Sequence, residues 1–496
     1  MIRFILALLI TANGIFAADK SFEELWEHAV VTIEVTRKQF DYLQPWNRRV
    51  DQIQKIGTII GDREIITSAD FFSNHTLVRI QKGRGRWFEA QVSWIDYHAN
   101  LAIVTCKESR FWEGTKKVDL AKVTPRRGDA QVVRWRNGIL EFRNVDINRL
   151  SVKRGKLTFV DSLQLELDSD MQGIGWAEAI VQGDKLIGIS SSKDDQTITA
   201  IPSSFILTCL DDRKDGAYQG IGYFSFVWQT AENPDTLSYL GQDGEPRGVI
   251  VIKVQTNHLD RASSPMRPRD IILEIDGFNI DVQGDYNDPD YGNLLLENLA
   301  TRSKRAGDKV KIKAVRDGKE INIDYILPKV DYSIEIVPLN VVDQEPEYLV
   351  MGGLVFQPLT VPYLQSWGGD WNRKAPFRLS YATREDATPE KPSYVILSVV
   401  LPDPYNIGYQ DTRYLIVDKL NGKRVNTLHD IVLAKESPKD GFHVLEFREG
   451  DSLTRMILDA GQVDDVTQRV LQRYGIEKDR YLAVPTPGKS DKLAKD

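Results

Sequence analysis

Cysteine is almost absent: 496 residues hold only Cys106 and Cys209. Two cysteines in a chain of this size do not make a disulfide scaffold. Both lie in apolar runs, "LAIVTC" and "SFILTC", so buried free thiols are expected, with one disulfide between them left open. No histidine is spaced against them as a zinc site requires. Long apolar stretches are lacking too. The first runs from Phe4 to Phe16 and is broken by Thr11, Asn13 and Gly14. It follows Met1-Ile2-Arg3 and precedes Ala17-Ala18, which is the three-part pattern of a signal peptide over 1–17 and too short to span a bilayer. No later segment approaches the roughly 18 apolar residues of a spanning helix. An exported chain is expected, in an oxidising and periplasmic compartment, with no membrane span in its mature form. A surplus of positive charge is also missing. The net charge of -7 argues against a nucleic-acid binder, and Lys116-Lys117 and Arg126-Arg127 read as solvated faces. There is no G-x-x-x-x-G-K-[ST], H-E-x-x-H or C-x-x-C, so no cofactor and no metal is expected.

What is present is a globular composition, 42% apolar and 27% charged, long enough for about three folded units. "SFEELWEHAVVTIEVTRK" reads as a short amphipathic piece followed by a strand. From Ile56 to about Leu210 come short strands such as "GTIIGDREIITS", "WFEAQVSWI" and "KLTFVDSLQLEL", cut by turn residues, which implies an all-β barrel or sandwich. Asn137-Gly138 in "WRNGILEF" predicts a type I′ hairpin. "LTCLDDRKDGAYQG" marks a boundary near residues 211–220. A weak repeat follows: "GVIVIKV…RDIILEIDGFNI" matches "SYVILSVV…RYLIVDKLNGKRV", each followed by a helix-like run ("NLLLENLA", "NTLHDIVLAKE") and a further strand pair. "VDDVTQRVLQRYG" predicts a helix capped by Gly475.

Together these features resemble the HtrA/Deg family of exported, PDZ-containing serine proteases. "GTIIGDREIITSADFF" resembles the strand leading to the base-bearing turn. "FEAQVSWIDYHANLAIV" and "MQGIGWAEAIVQGDKLIGISS" resemble the blocks of the orienting acid and the nucleophile. "GVIVIKV…RDIILEIDGFNI…AGDKVKIKAVRDGK" is similar to the family's PDZ domain, although Arg269-Asp270-Ile271 stands where G-D-V/I is usual. The segment from "YLVMGGLVFQPLTVPYL" to "VLQRYGIEKDR" is similar to the divergent second PDZ-like domain of the plant-type Deg branch. The resemblance implies a mainly β chain: a trypsin-like double β-barrel over 18–212, two PDZ-like α+β domains over 213–332 and 333–486, and a disordered tail over 487–496.

Triad chemistry needs a hydroxyl nucleophile, an imidazole base and an orienting carboxylate. The matching positions hold Gly175, Asp70 and Asn100. Glycine has no side chain to attack with, and an aspartate is a weak base at neutral pH. After the nucleophile position, Trp176-Ala177-Glu178 replaces the family's G-G-P, which crowds the oxyanion cradle and brings a negative charge to it. The expectation is a degenerate protease with no catalytic residue. His75, His98 and Ser190-Ser191-Ser192 are the candidates for a rebuilt site and read first as loop or strand-end groups. Asp161, Glu166, Asp168 and Asp170 read as a strand and solvated loop rather than a cation site. The PDZ resemblance implies binding of peptides or unfolded proteins at a glycine loop and strand formed by Gly220, Gly222, Tyr223, Phe224, Ser225 and Phe226. Gly352-Gly353 offers a second loop, for which a structural role in assembly is expected. The expected role is envelope protein quality control or scaffolding. The alternatives are an active endopeptidase with a rearranged site and a structural subunit. A homo-oligomer, trimeric or larger and with or without active paralogues, follows from the resemblance alone.

Overall fold

The computed structural model describes residues 20–214, 216–242, 244–255, 264–450 and 452–483. The expected leader over 1–17 and tail over 487–496 lie outside them. The described chain forms two compact units. One comprises 20–37, 52–255 and 264–330; the other comprises 38–51 and 331–483.

The first unit starts with a helix over 20–29 that runs into the strand Val30–Phe40. Six strands close into a barrel: Val30–Phe40, Arg48–Gly61, Glu64–Thr67, Leu101–Thr105, Trp87–Asp96 and His75–Gln81. Alternation along them sends Val31, Ile33, Ile59, Ile65, Val78, Ile80 and Val104 inwards around Phe72 and Phe111. A second ring forms from Ala179–Gln182, Asp129–Arg136, Ile139–Arg154, Asp161–Asp168, Thr197–Pro202 and Lys185–Asp194, the last pairing back to the first. Asn137 and Gly138 take φ of 52° and 72°, as the type I′ hairpin requires. The strand rings end in the helix Ser203–Lys214, so the chain is still helical where the sequence suggested a linker beginning at Asp211. Cys106 and Cys209 are both buried free thiols.

The first α+β module builds a sheet in the order Phe226–Thr230, Val249–Val254, Ile271–Ile275, Lys309–Arg316, Lys319–Ile326. "NLLLENLA" splits into the strand Gly292–Leu295 and a 3₁₀ turn Leu296–Ala300 rather than one helix. Leu163 of the second barrel joins the core of this module.

The second unit repeats the pattern. Val395–Val400, Leu415–Leu420, a turn at Asn421-Gly422, the helix Leu428–Lys435 and the hairpin Phe442–Phe447/Arg455–Asp459 match the expected duplication. The helix Val463–Tyr474 buries Val463, Val466, Val470 and Leu471 and ends at Gly475 with φ 65°. The tip of the first hairpin, Lys38–Asp51, belongs to this unit: Trp46 meets Tyr348 edge-on at 5.8 Å.

Candidate functional site

Three turns of the two rings carry the positions read as degenerate. The turn after Glu64–Thr67 brings Asp70, the turn before Leu101–Thr105 brings Asn100, and the loop before Ala179–Gln182 brings Gly175. Asp70 and Asn100 meet directly, the Asp70 amide donating to Asn100 Oδ1 at 2.9 Å. Asn100 sits at φ 53°, a conformation that asparagine tolerates better than most residues. The Asp70 carboxylate is held by Lys156, which also donates to the Ser191 carbonyl at 3.1 Å. The Gly175 loop joins this turn through a stack of Phe71 on Trp176 at 5.0 Å, and the Arg37 guanidinium lies over the Phe71 ring at 4.8 Å.

Beneath the turn lies Lys55, 2% exposed. Its ammonium donates to the Ser68 carbonyl, the Ser68 hydroxyl and the Asp70 carbonyl, each at 2.7 Å. Burial pushes its pKa down to about 7, with Asp70 and Glu178 pulling upwards against it. The only trace in the sequence is a lysine just inside an apolar strand end, "QIQKIGTII", which gives no partner.

At the nucleophile position the backbone itself is unsuited to a side chain. Gly175 takes φ 108°, and a Cβ there would come within 3.1 Å of the Ser192 Cα. The amides of Gly175 and Trp176 donate to Glu178 Oε2 at 2.9 and 2.8 Å, and the Ser190 hydroxyl donates to the same oxygen. Arg134 approaches the other Glu178 oxygen at 3.7 Å. Glu178 is 1% exposed, so these donors are spent inside the protein. The sequence suggested only that Glu178 would repel an oxyanion; in the fold it takes up amides beside the nucleophile position.

Two of the candidates for a rebuilt site, His75 and Ser191, are spent on backbone carbonyls. His75 turns Nδ1 to the Phe72 carbonyl at 2.8 Å, and the Ser191 hydroxyl donates to the Thr199 carbonyl at 3.0 Å. Glu166 receives Arg149, Ser151 and Lys153 at 2.8, 2.6 and 2.8 Å. Burial raises its pKa, but these donors outweigh that and hold it at about 2. Among the described residues no group of three or more His, Cys, Asp or Glu is placed to hold a metal ion.

A PDZ domain family model matches residues 337–481. Two Arabidopsis thaliana proteins align along nearly the whole chain. Putative protease Do-like 3, mitochondrial, is 23% identical, covering 90% of this chain and 80% of its own length. Protease Do-like 2, chloroplastic, is 24% identical, covering 93% and 76%. Over nearly its whole length the chain is similar to proteases of the HtrA/Deg family. Solved structures of HtrA type resemble it as well: the HtrA-type protease AlgW with decapeptide covers 61% of this chain and 95% of its own, at 16% identity and a TM-score of 0.45. The serine endoprotease from Yersinia pestis covers 62% and 98%, at 16% identity and a TM-score of 0.40.

The two PDZ-like modules of this chain differ at the strand that would take a peptide. In the first module Phe226–Thr230 is an edge strand, paired on one side only among the described residues, and Val227 is 38% exposed. The strand starts at Phe226, three residues later than the sequence suggested. Phe224 and Phe226 stack at 5.2 Å and turn into the core, and the Ser225 amide and hydroxyl meet the Tyr325 hydroxyl at 2.9 and 2.8 Å. Tyr223 packs edge-on against Phe159 at 5.4 Å. The Gly220 amide donates to the buried Asp212, and a Cβ at Gly222 would meet Leu327 at 2.8 Å. These six residues therefore brace the strand, and Val227–Thr230 presents its open stretch. In the second module the corresponding strand Leu354–Pro358 is paired on both sides. Its glycine loop is closed as well: the Gly352 amide donates to Thr467, the Gly353 carbonyl accepts from Leu401, and Asn406 donates to the Gly352 carbonyl.

Proposed function

We propose that this protein is a catalytically inactive HtrA/Deg member that binds extended peptides or unfolded segments on the edge strand Phe226–Thr230. The observation that carries the reading is Gly175: no side chain, a left-handed backbone, and an amide already spent on Glu178. Acyl transfer needs a nucleophile and free donors for the developing oxyanion. Edge-strand addition needs only unpaired backbone groups and side-chain pockets, which an exposed terminal strand offers. The doubly paired strand of the second module favours a structural role for it, in an oligomer of this chain or with active paralogues. The working place is the exported, periplasmic compartment, and the role is quality control or scaffolding. Purified full-length protein should bind unfolded casein or apolar peptides saturably while leaving them intact after prolonged incubation. Turnover that survives rigorous purification would defeat the inactive reading, and absence of any binding would defeat the peptide reading.

One observation favours a second reading. Ser68 Oγ lies 2.7 Å from Lys55, whose pKa is pushed to about 7, which is the chemistry of a serine–lysine pair. Ser68 is only 1% exposed and all three contacts of Lys55 are donations to oxygens, so the arrangement supports a clamp on the turn better than a nucleophile.

A further inference from the structure

In the second unit the strand Leu415–Leu420 turns at Asn421-Gly422 into the short strand Lys423–Arg424, and a cavity of about 230 Å³ lies beside this hairpin. Lys391, Tyr394, Asp418, Arg424 and Arg448 are among its lining residues, so three cationic side chains meet there with one carboxylate. The Lys391 ammonium and the Arg448 guanidinium both lie over the Tyr394 ring, 5.2 and 5.5 Å from its centre. Lys391 donates to the Val425 carbonyl at 3.0 Å, which spends one of the three N–H groups of an ammonium. Arg448 is oriented by Glu385 at 2.9 Å, and the Tyr394 hydroxyl donates to the same carboxylate. The Arg424 side chain is exposed and makes no hydrogen bond or ion pair among the described residues. Asp418 lies 3.8 Å from the ammonium of Lys419. The three cations feel one another: burial holds Lys391 below the usual amine range, Asp418 pulls it up, and Arg424 and Arg448 push it further down.

We propose that this cavity binds the phosphate group of a small molecule, gripped by Lys391, Arg424 and Arg448. Like charges gathered around one space repel, and a bound anion removes that repulsion. Among the lining residues, three cations less one carboxylate leave two positive charges. A phosphate carries about 1.5–2 negative charges at neutral pH and answers both; a carboxylate answers one. Guanidinium groups offer paired N–H donors that match phosphate oxygens, and the ammonium adds a point charge. Tyr394 is 5% exposed, so the ring beneath Lys391 and Arg448 is fixed and the two cations are held in place before a ligand arrives. The volume falls below the roughly 300–1,000 Å³ of drug-sized pockets, so the occupant is small. The site shares no residue with the degenerate protease site, the edge strand of the first module or the Gly352-Gly353 loop, and it stands apart from the peptide-binding reading.

The test is calorimetric titration of the full-length protein at low salt with inorganic phosphate, glycerol 3-phosphate and acetate, each against sodium chloride of matched ionic strength. Saturable binding of phosphate is expected, with acetate roughly tenfold weaker. Glycerol 3-phosphate binding tighter than inorganic phosphate assigns the site to a phosphate ester, and the reverse order assigns it to the free anion. Arg424→Gln removes a cation that makes no hydrogen bond or ion pair among the described residues. It should weaken phosphate roughly tenfold, the worth of a charge-assisted hydrogen bond, with an unchanged melting profile in phosphate-free buffer. Phosphate should also raise the Tm of the wild type more than that of the variant. No saturable phosphate binding, acetate as tight as phosphate, or phosphate affinity unchanged in Arg424→Gln overturns the proposal.

Discussion

Lys55→Met isolates the cost of holding an amine in the dry floor of the degenerate site. The native pKa falls from 10.5 to about 7, so the charged form is disfavoured by about 5 kcal/mol at ~1.4 kcal/mol per pH unit. The sign follows from proton counting. Between pH 7 and 10.5 the unfolded chain keeps the Lys55 proton and the native state has lost it. Stability therefore rises with pH across that window, at up to about 1.4 kcal/mol per unit. Below pH 7 both states are protonated and the cost is fully present and flat. Methionine removes this titration. It also leaves the Ser68 and Asp70 oxygens without their donor, at roughly 1–3 kcal/mol for each buried group, which shifts the whole curve without changing its slope. Urea unfolding followed by tryptophan fluorescence measures the difference between the two proteins at each pH, and all other titrating groups cancel in it. The wild type should gain about 2 kcal/mol on Lys55→Met between pH 7 and 9. Parallel profiles for the two proteins would refute the reasoning.

Restoring the triad letters should not restore the enzyme. Gly175→Ser combined with Asp70→His and Asn100→Asp is expected to show no casein hydrolysis, because φ 108° and the Ser192 backbone strain the new side chain and Glu178 still holds the neighbouring amides. Arg269 adopts φ 80°, so Arg269→Gly should stabilise the first module by about 0.5–1 kcal/mol, read as a higher Tm; a lower Tm would mean that its contact with Tyr239 at 5.3 Å outweighs the strain. Val227→Asp on the open edge strand should weaken binding of apolar peptides roughly tenfold with an unchanged melting profile, the cost of a charge against an apolar partner. Equal affinity would move the peptide site off that strand.

Patterns that arise within a short window were legible in the sequence. The alternating runs of the barrels, the Asn137-Gly138 hairpin, the helix ending at Gly475 and the duplicated strand–turn pattern of the two modules all depend on neighbours a few residues apart. The missing hydroxyl at Gly175 was legible too, since it is a matter of residue type. What closes the site was not. Lys55 reaches Ser68 and Asp70 from the neighbouring strand, Lys156 reaches Asp70 from the second ring, and Glu178 folds back on its own loop; periodicity carries no trace of these. The same holds for Leu354–Pro358. Its residues read like those of Phe226–Thr230, and only the pairing with Tyr348–Met351 on its far side removes the open edge. The packing of the tip around Trp46 leaves no local pattern, because its partners lie some three hundred residues away.

The most direct test of the central claim is reaction of the purified protein with a fluorophosphonate probe, followed by intact mass and peptide mapping. With the nucleophile absent and the adjacent amides committed, the mass should remain that of the unmodified chain. A stoichiometric adduct on any serine, above all Ser68, would contradict the account.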